Sequence, residues 1–184
     1  MDNSETPNRD VKIPLSYQKA EIIYKLTFFF ARTYLGKDDP IATQMLLTAR
    51  SAMLHIAKAN AAAATSVEME LKLTNLAKTK LAKLRTDYKD FLSARQLPIW
   101  EKDSKAVTDF RQKSKDPSLS LAWYVEAAKG HSPEAAANMC ISLLYQADCL
   151  LLWQLRAREK EFLRRGRTMG RMFASRQNFP RPQK

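Results

Sequence analysis

The stretch KLTNLAKTKLAKLR, Lys72 to Arg85, carries five positive charges and no negative one. At 100° per residue, Leu73, Ala77, Leu81, Leu84, Tyr88 and Phe91 fall within one narrow arc. That spacing predicts a helix that buries the arc. Lys72, Lys80 and Lys83 flank the arc on one side, and Lys78, Arg85 and Lys89 on the other. Asp87 and Asp90 dilute the charge only at the far end. The two cationic stripes border the buried seam, which places them near the grooves between neighbouring helices.

Working outward, Thr65 or Ser66 caps this third helix, acids follow at Glu68 and Glu70, and LPIW ends it after about Arg95. Helix two opens at Asp38-Asp39-Pro40, an acidic start with proline in the first turn, and continues through IATQMLLTARSAMLHIAKANAAAA. Helix one spans about Ser16 to Leu35, between Pro14 and Gly36. Its stretch EIIYKLTFFFARTYL is apolar over most of its circumference, so deep burial is expected. From Leu97 to about His131 the pattern weakens. Pro98, Pro117, Gly130 and Pro133 punctuate it, leaving short helices around 104–115 and 119–128.

Ser132-Pro133-Glu134 launches a long fourth helix to about Leu163, with Met139, Leu143, Leu150, Leu151 and Leu155 in its apolar set. The chain ends in RRGRTMGRMFASRQNFPRPQK, Arg164 to Lys184, with seven bases and no acid. The expected fold is all-α: an up-down four-helix bundle with short helices between helices three and four and a basic C-terminal tail. A polar leader is expected over 1–14, the bundle over 15–163 and the tail over 164–184.

With 184 residues the chain is expected to form one domain, or one domain with appendages, long enough to bury a core. Scarce glycine and abundant Ala, Leu and Lys favour helix throughout. No window of about 18 uncharged apolar residues occurs, so no transmembrane span is expected. The opening MDNSETPNRDVK lacks the charged-then-apolar layout of a signal peptide. Cys140 and Cys149 fall on one helix about 13 Å apart along its axis, too far for a mutual disulfide. They are read as two small core residues in a reducing cytoplasm.

Thirty-one Lys and Arg against 19 Asp and Glu give a net charge of +12, which points to a polyanionic partner. Catalysis is not expected, nor is a cofactor or a metal. The four glycines form neither a phosphate loop nor a dinucleotide fingerprint. His55 and His131, the only histidines, have no ligand partner at metal spacing, and two lone cysteines do not make a zinc site. His55 is read as a structural or surface residue. Asp38-Asp39 is read as helix-start electrostatics.

The run QMLLTARSAMLHIAKAN, followed by TSVEMELKLTNLAKTKLAKLRTDYKDFL, resembles a four-helix-bundle family with two branches. One is encoded in intervening sequences of 23S rRNA genes. The other comprises the accessory variability proteins (Avd) of diversity-generating retroelements. Gln44, Arg50, Ser51, Ile56, Ala57 and Glu70 match the family pattern. The resemblance covers about 15–163, and LPIW with ANMCISLLYQADCLLLWQL looks like the variants with an extended C-terminal segment. Where the family has Asn-Ile-Ala-Glu-Gly, this chain has His55-Ile56-Ala57-Lys58-Ala59, which adds a cation and predicts a longer helix two.

The resemblance implies a non-catalytic accessory subunit that forms a homopentamer and binds a reverse transcriptase and structured template RNA in support of mutagenic cDNA synthesis. The alternative is an oligomeric interaction protein of the intervening-sequence type, without a dedicated RNA function. The expected phosphate contacts, to RNA, DNA or an RNA–DNA hybrid, are Arg50, Lys58, Lys72, Lys78, Lys80 and Lys83. Arg85 joins them, with Arg164, Arg165, Arg167 and Arg171 from the tail. No membrane partner is expected.

Overall fold

The computed structural model describes residues 14–36, 38–116, 118–129 and 132–177. Among these the fold is all-helical. The helices are α1 (Leu15–Tyr34), α2 (Pro40–Ala62), α3 (Val67–Ala94), α4 (Lys105–Lys113), α5 (Leu121–Lys129) and α6 (Pro133–Gln177). The expected leader over 1–14 lies outside the described residues, apart from Pro14.

The helix starts follow the side chains that cap them. Asp39 accepts from the Ile41 amide at 2.8 Å, with Pro40 in the first turn of α2. Of the two candidates before α3, Ser66 is the cap, accepting from the Met69 amide at 3.2 Å. Ser104 and Ser132 do the same for α4 and α6. Each such hydrogen bond satisfies one of the amides that a helix start leaves unpaired. Helix α2 runs for 23 residues. It stops at Ala62, whose carbonyl accepts from the Thr65 and Ser66 amides, so the last alanines form the turn into α3.

Helix α1 packs on α2 and α6, and α3 packs on the same two, so four long helices enclose one core. At its centre the rings of Tyr88 and Phe91 on α3 meet Phe30 on α1 edge-on, with centroids 5.0 and 4.7 Å away. The Tyr88 hydroxyl donates to Thr27 Oγ1 at 3.0 Å, and Thr27 in turn donates to the Ile23 carbonyl at 2.7 Å. A buried phenol has to find such a partner, because an unpaired one costs about 1–3 kcal/mol. Of the arc read from the sequence, Ala77, Leu81, Leu84, Tyr88 and Phe91 are buried and Leu73 is half-buried. Cys140 belongs to the core, but Cys149 is exposed, contrary to expectation, because it falls on the opposite face of α6.

The weakly patterned connection is pinned rather than loose. The Asn138 side chain accepts from the Trp100 amide at 2.9 Å and donates to the Pro98 and Glu134 carbonyls at 3.0 Å. The Trp100 ring donates to Glu134 at 2.8 Å. On the other side, buried Lys19 of α1 donates to the Ser114 carbonyl and the Tyr124 hydroxyl, tying the α4–α5 segment to α1. Burial lowers this amine to about 8.

Two further departures concern α6. Its helix continues past Leu163 to Gln177, so most of the expected tail is backbone-helical. Gly166 and Gly170 each disfavour helix by only about 1 kcal/mol, and no proline intervenes before Pro180. Within Pro133–Arg164, α6 also contains an 18-residue window long and apolar enough to cross a membrane, with a mean hydropathy of 1.4. Over half of that window, 56%, is buried inside the molecule, so the core accounts for its composition.

Gln96, just past α3, has φ of 53°. The Leu97 amide reaches back to the Leu92 carbonyl at 2.9 Å, the helix ending in which glycine is the favoured residue at the left-handed position. Gln96→Gly should therefore stabilise the protein, by up to about 1 kcal/mol in chemical denaturation. Lys19 generates a pH signature. Its folded pKa lies below the unfolded value of 10.5, so protonation opposes folding. The stability of the wild type relative to Lys19→Met should be flat below about 8 and rise between about 8 and 10.5.

Candidate nucleic-acid interface

The cations that flank the arc of α3 meet two very different neighbours. On one side runs α6, antiparallel to α3. Lys78 pairs with Asp148 at 2.6 Å, and Glu70 accepts from Arg158 at 2.7 Å. Arg158 also pairs with Glu161 at 3.0 Å and donates to the Ala63 carbonyl at the end of α2 at 2.7 Å. Further along, the Arg85 guanidinium stacks 4.4 Å from the centre of the Tyr145 ring, and Lys89 reaches the Tyr145 hydroxyl at 3.5 Å. Charge and π-face are matched at each step of this seam.

On the other side runs α2. The Gln44 amide donates to Asp87 Oδ1 at 3.0 Å, fixing which stripes face one another. Asp87, read from the sequence only as diluting the cationic charge, is buried, and burial raises its carboxyl above the ordinary range against the opposing effects of Gln44 and Lys83. Stepping at 100° per residue, Lys72, Lys80 and Lys83 share about 80° of α3 with Asp87. Likewise Ser51, His55 and Lys58 share about 60° of α2 with Gln44. The α2–α3 groove is therefore bordered by lysines from both helices.

Arg50, Lys58, Lys72, Lys80 and Lys83 form no ion pair or side-chain hydrogen bond among the described residues. All are exposed except Lys80, which is half-buried. Arg50 sits about 100° round α2 from Ser51. With Lys58 it lines a depression of about 410 Å³, together with Leu47, Leu54 and His55. The His55 imidazole is engaged locally, its Nδ1 bonded to the Ser51 carbonyl at 2.7 Å, which is a structural role. From Lys72 to Lys83 the cations extend along about 16 Å of helix axis.

The eleven expected contacts thus separate. Lys58, Lys72, Lys80 and Lys83 border the α2–α3 groove, and Arg50 lies beside it on the outer face of α2. Lys78 and Arg85 are turned into the α3–α6 seam and engaged there. Arg164 is exposed on α6, and the side chains of Arg165, Arg167 and Arg171 lie outside the described residues, although their backbone is helical. The α6 partners Tyr145, Asp148 and Arg158 were not anticipated. A signal for them exists: laid antiparallel to α3, α6 presents an acid opposite Lys78 and a base opposite Glu70.

No group of three or more potential metal ligands occurs among the described residues. Comparison with models of protein families, with curated proteins and with solved structures finds no match.

The paired and unpaired cations differ measurably. A double-mutant cycle on Lys78 and Asp148 should give a coupling of about 1 kcal/mol, since both side chains are partly shielded from water. Lys80→Ala should change stability by less than about 0.5 kcal/mol. Equal losses for Lys78→Ala and Lys80→Ala would remove the distinction between the two sides of α3.

Proposed function

We propose that this chain is a non-catalytic, nucleic-acid-binding accessory subunit built on an up-down four-helix bundle. The α2–α3 face grips the phosphate backbone of a structured RNA. In this reading it serves a reverse transcriptase of a diversity-generating retroelement, in the cytoplasm and as a homo-oligomer, a pentamer if the family resemblance holds. One observation carries the reading: four lysines without ion pairs border the α2–α3 groove with Arg50 beside them on α2, while across α3 Lys78 is paired with Asp148 and Arg85 stacks on Tyr145. Unpaired bases clustered along a groove create the potential that attracts polyanions and releases their counterions. The helical extension through Gln177 adds further arginines in a fixed backbone frame.

A second reading has an observation of its own. Leu47, Leu54, Met69 and Leu76 are exposed by 62, 45, 47 and 40% on the same two helices. Apolar residues interleaved with bases also suit a protein–protein interface, and on this reading the chain is chiefly an oligomeric interaction module.

Salt-dependent binding separates the two. The triple variant Lys72→Glu, Lys80→Glu, Lys83→Glu should bind a long structured RNA more weakly than the wild type. The slope of log affinity against log salt should become shallower by roughly 2 to 3, given about 0.9 per duplex phosphate and about 0.7 on single strands. Helix content and sedimentation should stay as they are. Unchanged affinity and slope, with self-association abolished by Leu47→Glu and Leu54→Glu, would give the interaction module the lead.

A further inference from the structure

On the far side of the molecule a second feature is independent of the α2–α3 face and shares no residue with its five cations. A cavity of about 880 Å³ lies where the pinned connection, α1 and α4 meet α6. Its size falls within the roughly 300–1,000 Å³ range of small-molecule sites. The wall is largely apolar, with Leu15, Ile99, Val107, Ile141, Leu150 and Trp153 contributing. Trp153 is 70% exposed and Leu15 44%, so this apolar surface is open to a ligand.

Two properties narrow the ligand. The first is charge: Lys19, Lys89, Lys102, Arg111 and Lys115 line the cavity, and no carboxylate does. The second is that three of its neutral polar side chains are already engaged. Asn138 is committed to Pro98, Trp100 and Glu134. The Gln146 amide donates to Ser114 Oγ at 2.8 Å, and Ser114 Oγ donates to the Arg111 carbonyl at 3.2 Å. The Ser114 carbonyl is taken by Lys19 and Tyr124. A nucleobase or sugar needs neutral partners along its edge, and Asn138, Ser114 and the Gln146 amide are already engaged. An apolar body needs only the wall. The amines still have donors to offer, including one of the three on Lys19.

We propose that this cavity binds a long-chain aliphatic carboxylate. The alkyl chain lies against the leucine, isoleucine and tryptophan wall, and the carboxylate lies among the lysine and arginine side chains.

The protein contains its own reporter. Cys149 lines the cavity and is exposed, while Cys140 is buried with its thiol pushed up to about 12 by desolvation. A maleimide therefore labels Cys149 selectively on the full chain, and intact mass reads the rate. Hexadecanoate below its micellar concentration should slow that labelling at least about tenfold. From decanoate to hexadecanoate, half-protection should require about fourfold less ligand per added methylene until the wall is covered. Hexadecyltrimethylammonium at the same concentration should not protect.

Leu15→Glu should abolish protection by placing a carboxylate at the first residue of α1, where an acid is compatible with the helix start. Trp153→Ala, at an exposed position, should weaken protection without unfolding. Absence of protection by any of the carboxylates overturns the proposal, as does equal protection by the ammonium amphiphile. Protection by a polyuridylate but not by hexadecanoate also overturns it, and would assign the cavity to nucleic acid instead.

Discussion

The width of the buried arc on α3 constrains everything around it. Ala77, Leu81, Leu84 and Tyr88 are each no more than 1% exposed. A helix of 28 residues buried along one narrow line must turn its flanks into the grooves on either side. The Tyr88 hydroxyl fixes the line by donating to Thr27 across the core, where the Phe30 ring packs edge-on between Tyr88 and Phe91. Rotating α3 by one residue would swing the hydroxyl by 100°, away from Thr27, and break this bond. The rotation of α3, and so the position of every flanking lysine, is set by one satisfied phenol in an aromatic cluster.

With that rotation fixed, the neighbours decide what the flanking charges do. Helix α6 offers Asp148, Tyr145 and Arg158 at the heights of Lys78, Arg85 with Lys89, and Glu70, so that flank is neutralised or stacked along its length. Helix α2 offers Gln44, Ser51, His55 and Lys58, none of them an acid. Its one charged partner on α3, Asp87, is buried and held by Gln44. Lysines on that flank therefore raise the local potential instead of cancelling it. Mutual repulsion among them is tolerable in water at physiological salt, where the screening length is about 8 Å. A polyanion entering the groove would relieve it.

The helices and the arc of α3 were legible because periodicity at 100° per residue is a local signal. So were most helix starts, since a Ser or Asp ahead of an apolar run announces itself. Which flank would be neutralised was not legible, since that depends on the register between α3 and α6, residues some 70 apart in sequence. Asp87 illustrates the difficulty. Beside Asp90 in sequence it looks like a solvated acid, and only the approach of Gln44 from α2 makes its burial tolerable. Cys149 shows the same limit from the other direction. Read from the sequence as a small core residue, it faces the cavity beneath the pinned connection. That connection looked weak because Trp100, Asn138 and Ser114 hold it through polar contacts, which leave no hydrophobic period.

The length of α6 ties the core to the basic end of the chain. From Pro133 to Leu155 it is a core helix, and its apolarity there is spent against α1 and α3. From Arg156 to Arg164 no side chain is fully buried, but the helix continues to Gln177. Two effects sustain it: the absence of proline before Pro180, and the fit between arginines and the negative end of the helix dipole. A basic arm without structure would have to lose backbone freedom on binding, at about 1–2 kcal/mol per residue ordered. A segment already helical through Gln177 has lost that freedom beforehand. For any polyanionic partner, the arginines from Arg164 to Arg176 are thus presented at fixed backbone intervals, as a continuation of the helix whose inner half holds the core together.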